Sequence, residues 1–107
     1  MIKTLTEQTF GLLLKNKAKT KNFVVCFVPS SFNQQFNYFK VLEDCSETLR
    51  KTNFYTLEVP LESELTKKYL IREVPTLYVF DEKGDTVAYT LGNYSLDYLI
   101  NFLRPSV

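Results

Sequence analysis

The sequence predicts an α/β protein, a three-layer α/β/α sandwich on a mixed central sheet, and three observations carry the prediction. Residues 22–28, NFVVCFV, form a near-continuous apolar run of β-branched and aromatic residues, the pattern of a strand covered on both faces. Segments with apolar residues three and four apart separate the first strands, which requires parallel pairing through right-handed crossovers. The turn DEKG at 81–84 joins two further strand-like runs, so a hairpin adds antiparallel strands.

Each element follows from local chemistry. After a short strand IKTL at 2–5, Thr4 or Thr6 can cap the first helix, and Thr4-x-x-Glu7 matches a capping box. Phe10, Leu13 and Leu14 then share one helical face, and the helix ends near Lys17. Pro29 ends the central strand. From Phe32 the apolar residues Phe36, Phe39, Leu42, Cys45 and Leu49 recur at helical steps, which predicts a long second helix with a broad buried stripe.

NFYTLEV at 53–59 alternates, placing Tyr55, Leu57 and Val59 on one face of a strand. ESELTKKYLIRE at 62–73 reads as a short helix packing through Leu65, Tyr69 and Leu70. VPTLYVF at 74–80, introduced by a proline, and DTVAYTL at 85–91 are the hairpin strands. Gly92 breaks the pattern, Ser95 can cap, and Leu96, Leu99, Ile100 and Leu103 form a last amphipathic helix that Pro105 stops. The order is β-α-β-α-β-α-β-β-α, and residues 1–107 are expected to form a single domain.

Composition bounds the function. With 45% apolar residues and only three Gly and four Pro, the chain can bury a packed core. Thirteen basic and twelve acidic residues leave a formal charge of +1, so no global field draws the protein to nucleic acid or to an anionic membrane. Four lysines in KNKAKTK, Lys15 to Lys21, read as a solvated helix end. No apolar run approaches the ~20 residues of a membrane span, and MIKTLTEQTF lacks the features of a secretory signal. A cytoplasmic location is therefore expected, and the glycosylation-type match NYS at Asn93 carries no weight there. The seven tyrosines are spread over several elements without basic interleaving, unlike a platform for single-stranded nucleic acid.

Histidine is absent and there are two cysteines, Cys26 and Cys45. No Ser-His or Cys-His couple and no Cys/His zinc cluster can be built from this set. Both cysteines sit among apolar neighbours and read as small buried hydrophobes. Ser30 and Ser31 have no basic residue following them until Lys40, and a serine nucleophile needs an adjacent base. Ser31-x-x-Gln34 is instead a capping-box match at a helix start. No metal and no cofactor is expected.

Three stretches, NFVVCFVPSSFNQQF, YLIREVPTLYVFDEKGD and YTLGNYSLDYLINFL, together with length and element order, resemble the thioredoxin family over essentially the whole chain. The first is similar to that family's central strand and active-site turn, the second to its hydrophobic-Pro-Thr segment and hairpin, the third to its last strand, glycine and final helix. The resemblance implies a thioredoxin-like fold and a cis peptide before Pro75, facing the active-site turn across a groove.

Carried over without gaps, it places Phe32, Asn33, Gln34 and Gln35 where the family has Cys-Gly-Pro-Cys. Both reactive sulfurs are thereby missing, and thiol–disulfide exchange needs one thiolate to attack and a second thiol to resolve. Cys26 stands where redox-active members often keep a buried acid, and Lys40 where a proline often kinks the second helix. By the same resemblance the groove comprises Phe32, Asn33, Gln34, Gln35, Val74, Pro75 and Gly92. Phe32 either projects outward as an aromatic anchor for a partner or starts the apolar stripe of the second helix.

The reading that follows is a redox-inactive thioredoxin-like module, with no disulfide reductase activity, that binds a protein or an extended peptide as a monomer or weak dimer. Nucleic acid and membrane are not expected partners. Two alternatives belong to other classes: an atypical thiol oxidoreductase using a single cysteine or a partner's thiols, and a domain that holds a small peptide of the glutathione type.

Overall fold

The computed structural model of the protein describes residues 2–16, 21–29, 37–60, 63–71, 74–91 and 95–107. Along the chain run β1 (Ile2–Leu5), α1 (Glu7–Lys15), β2 (Phe23–Pro29), α2 (Asn37–Thr48), β3 (Asn53–Val59), α3 (Glu64–Lys68), β4 (Thr76–Phe80), β5 (Thr86–Leu91) and α4 (Leu96–Leu103), with a 3₁₀ turn over Arg104–Ser106. The sheet order is β1-β3-β2-β4-β5. β1 and β2 flank β3 in parallel, while β4 pairs antiparallel with β2 and β5 antiparallel with β4. The predicted element order and mixed sheet are both present.

β2 is the centre. Its first six residues are buried, and successive side chains divide between the two faces. Val24, Cys26 and Val28 join Leu42 and Cys45 of α2, Leu99 and Leu103 of α4, and Leu77 and Val79 of β4 in a largely aliphatic cluster. Phe23, Val25 and Phe27 join Phe10 of α1, Tyr78 and Phe80 of β4, and Leu57 and Val59 of β3 in a second cluster, rich in rings. Tyr55, Leu57 and Val59 do share that face. Phe10 meets Phe27 edge-on at 5.9 Å between centroids, and Phe23 stacks on Phe80 at 5.5 Å, geometries that add to area burial.

Helix ends explain most differences from the sequence reading. The Thr4-x-x-Glu7 box does not form, because Thr4 lies in β1 paired beside Thr56. Thr6 is the N-cap instead: its side chain accepts from the Thr9 amide at 3.1 Å, and its own amide donates to the Thr9 hydroxyl at 2.7 Å. A threonine at the third helical position thus reciprocates where glutamate was anticipated. Ser63 and Thr66 repeat the device at α3. α1 ends at Lys15 rather than near Lys17. Ser95 caps α4 as predicted. The start of the second helix predicted at Phe32 lies outside the described residues.

α3 is shorter than the predicted 62–73. The Ile71 amide donates to the Thr66 carbonyl at 2.8 Å and the Leu70 amide to the Lys67 carbonyl at 3.3 Å, the paired bonds of a Schellman stop. Leu70 occupies its left-handed position with φ 54° and is 77% exposed. The expectation that Leu70 packs inward is therefore corrected: a residue turned through this conformation leaves the helix and its apolar face. In the β4–β5 turn Gly84 takes φ 87°, and a Cβ there would sit 3.0 Å from the Leu14 carbonyl oxygen.

These two positive-φ positions make opposite predictions. Gly84→Ala should lower the unfolding free energy by about 1–2 kcal/mol, since it adds both left-handed strain and a backbone clash. Leu70→Gly should raise it by about 0.5–1 kcal/mol, the strain relieved being partly offset by the freedom glycine adds to the unfolded chain. Urea titrations of both variants check this, and equal signs would contradict it.

Candidate functional site

The carboxyl end of β2 is where the sheet brings separate segments together. Phe27 pairs with Thr76, and Thr76 pairs with Leu91, so one row of the sheet joins the end of β2, the start of β4 and the end of β5. Pro75 immediately precedes that row. The Val74–Pro75 peptide is cis, and both residues are half-buried. Val74 packs against the aromatic cluster, of which Ile71 and Tyr78 are members. Phe32, Asn33, Gln34, Gln35 and Gly92, like Ser30, Ser31 and the Ser31-x-x-Gln34 cap, lie outside the described residues.

Beneath this end a hydrogen bond holds the scaffold. The Tyr78 hydroxyl donates to the Tyr69 carbonyl, tying the C-cap of α3 to β4. Tyr69 packs against Phe10, Phe27, Tyr78 and Phe80. Burial raises the hydroxyl pKa of Tyr55, Tyr69 and Tyr78, and for Tyr78 the neighbouring Tyr89 and Tyr69 hydroxyls raise it further. All three hydroxyls are therefore neutral at neutral pH, and that of Tyr78 donates the hydrogen bond to the Tyr69 carbonyl.

Neither thiol is presented to solvent. Cys26 lies in β2 between its neighbours Thr56 and Leu77, and Cys45 lies on the buried stripe of α2; both are free and fully buried in the aliphatic cluster. Burial pushes the Cys26 thiol pKa far up. That of Cys45 is pushed up to about 11, by burial first and by the Asp44 charge second. At pH 7 only about one Cys45 in ten thousand is then ionised, against a thiolate requirement for nucleophilic attack.

Other chemistry is sparse among the described residues. No group of three or more His, Cys, Asp or Glu residues is placed to hold a metal ion, and no helix is long and apolar enough to cross a membrane. A cavity of about 650 Å³ opens at the opposite end of the sheet, lined by Lys21, Asn22, Arg50, Lys51 and Arg104. It offers positive charge, with the Thr48 and Thr52 hydroxyls also on its wall. Tyr55 and Tyr69 are half-buried and Tyr78 is buried, while Tyr89 and Tyr98 are exposed and lie ring on ring against Tyr78 and Phe102. The exposure of Leu70 and Tyr89 was missed from sequence. The alternation Val87, Tyr89, Leu91 on a terminal hairpin strand was the available signal.

Two measurements test the thiol environment. Iodoacetamide at pH 7.5 should leave Cys26 and Cys45 unmodified in folded protein and alkylate both in urea, as read by intact mass. Because the folded Cys45 thiol holds its proton up to about pH 11 and an unfolded thiol only to its ordinary 9.0, the unfolded state binds fewer protons between those values. Stability should therefore fall as pH rises from 9 towards 11, and a Cys45→Ala variant should lose part of that slope in thermal melts.

No family model matches the chain, and no curated protein does. Solved structures do. A thioredoxin of Nicotiana alata superposes with a TM-score of 0.80 at 17% identity, over 97% of this chain and 90% of that one. Thioredoxin f2 of Chlamydomonas reinhardtii gives 0.80 at 19%, over 99% and 96%. A Plasmodium falciparum thioredoxin gives 0.77 at 23%, over 98% and 99%. Sheet order, helix placement and these superpositions agree that the chain has the thioredoxin fold.

Proposed function

We propose that this chain is a redox-inactive thioredoxin-fold module that binds an extended segment of a partner protein at the carboxyl end of β2. The observation that carries the reading is the position of its sulfurs. Cys26 and Cys45 are both sealed in the aliphatic layer, with raised thiol pKa values, and the sequence that follows β2 has Phe32, Asn33, Gln34 and Gln35, with no cysteine among them. An amide or a phenyl ring can neither attack a disulfide nor resolve one. A single-cysteine oxidoreductase has no accessible thiolate to work with.

The same end of the sheet is suited to binding. Val74 and Pro75 stand half-exposed beside the end of β2, and residues 32–35 and Gly92 complete the groove in this reading, with Phe32 as the aromatic anchor. The partner is a protein or extended peptide in the cytoplasm. No cofactor, nucleic acid or membrane enters the function.

Insulin reduction with dithiothreitol tests the redox half of the proposal. The expected rate is that of the blank, and turnover abolished by Cys26→Ser or Cys45→Ser would overturn it. The binding half is tested by affinity capture with wild type and Phe32→Asp, the variant losing the captured protein. Identical captures would remove the groove from the function. A saturable rise in melting temperature with millimolar glutathione would favour a small-peptide ligand instead.

A further inference from the structure

The two edges of the sheet are built differently. β1 is four residues long and carries Lys3, exposed, on its edge. A short edge strand with a lysine resists pairing with another chain. β5 is the opposite edge. Its sequence TVAYTL has six residues, no charge and no proline, and so has none of those protections.

Coverage of β5 is one-sided. On the α4 side, Ala88 packs on the aliphatic cluster and Thr90 is buried, its hydroxyl 3.4 Å from that of Tyr98. On the other side the helical layer stops at Tyr69, above β4. Val87, Tyr89 and Leu91 stay 46%, 64% and 39% exposed. Tyr89 is held in place by stacking on Tyr78, 5.2 Å between centroids. Leu70, turned out by the Schellman stop, lines a cavity of about 260 Å³ with Ile71, Tyr78, Tyr89 and Leu91. A leucine kept in a left-handed, exposed position where glycine would be less strained is a local cost without a folding benefit.

We propose that β5 is a self-association edge, and that a second copy of this chain pairs with it antiparallel about a two-fold axis centred on Tyr89. The occupant follows from self-complementarity. Antiparallel pairing centred there sets Tyr89 against the second copy's Tyr89, Ala88 against Thr90 and Val87 against Leu91. Every exposed apolar residue then meets an apolar one on the same face, and no charge is opposed. Edge amides and carbonyls that no strand among the described residues pairs find partners in one continuous sheet across both copies. Leu70 of each copy extends the apolar strip. The register irregularity at Val79/Phe80 lies towards the hairpin turn and leaves Ala88–Leu91 regular.

A six-residue edge with one strip of side chains is small for an interface, so the dimer is weak, with a dissociation constant on the order of 10–100 µM. It rests on residues outside the groove side chains of the proposed function and stands or falls separately.

Sedimentation velocity from about 5 µM to about 500 µM tests it by mass action. Wild type should shift from monomer to dimer across this range. Tyr89→Lys and Tyr89→Glu, each checked for native circular dichroism, should stay monomeric alone, and their equimolar mixture should associate. Leu70→Gly should weaken association several-fold without loss of folded protein, so that its effect cannot be ascribed to unfolding. Wild type that stays monomeric throughout overturns the proposal. Dimerisation unchanged in Tyr89→Lys overturns it too, by assigning the contact to another face.

Discussion

The burial of β2 on both faces is the constraint from which the remainder of the structure follows. A strand flanked by β3 and β4 and covered by helices on both sides has no solvent-facing side chain over its first six residues. Each of those side chains must therefore be apolar or internally satisfied. The consequence reaches chemistry. The same enclosure that joins the two halves of the sheet raises the Cys26 thiol pKa, so the sulfur at the centre of the fold is packed as a small apolar group.

The two faces of the sheet do different work. The aliphatic face, under α2 and α4, takes up both cysteines. The aromatic face, under α1 and α3, interlocks rings from four elements, and the hydrogen bond from Tyr78 to the Tyr69 carbonyl fixes where its helical layer ends. That ending has a cost. Because α3 is only five residues long and turns out at Leu70, the aromatic layer covers β4 and leaves one side of β5 bare. Apolar residues on an uncovered edge strand are what natural sheets ordinarily avoid, and Val87, Tyr89 and Leu91 are such residues here.

Much of the architecture was legible residue by residue. The unbroken run from Phe23 to Val28 marked the central strand, the step pattern through Phe39, Leu42 and Cys45 the helix above it, and Ser95 the cap of α4. Errors gathered at helix ends, where several hydroxyl residues compete for one role. Thr4 and Thr6 differ as caps only because β1 claims the backbone of Thr4. A helical run through Leu70 looked continuous because nothing local to Leu70 announces a left-handed turn. Of the candidate groove, Val74 and Pro75 are seen beside the end of β2, while Phe32, Asn33, Gln34, Gln35 and Gly92 fall outside the described residues.

The sequence by itself determined the inventory: which strands are enclosed, the order of elements, and the lack of a histidine or a closely spaced cysteine pair. Such features depend on periodicity and residue type, which act over a few positions of chain. Only the tertiary structure decided that Cys26 and Cys45 share one sealed layer, that Tyr89 rests on Tyr78 in the open, and that one sheet edge is guarded while the other is not. Those outcomes depend on where helices stop above strands distant in sequence, and exposure is a property of the packed whole rather than of any residue in it.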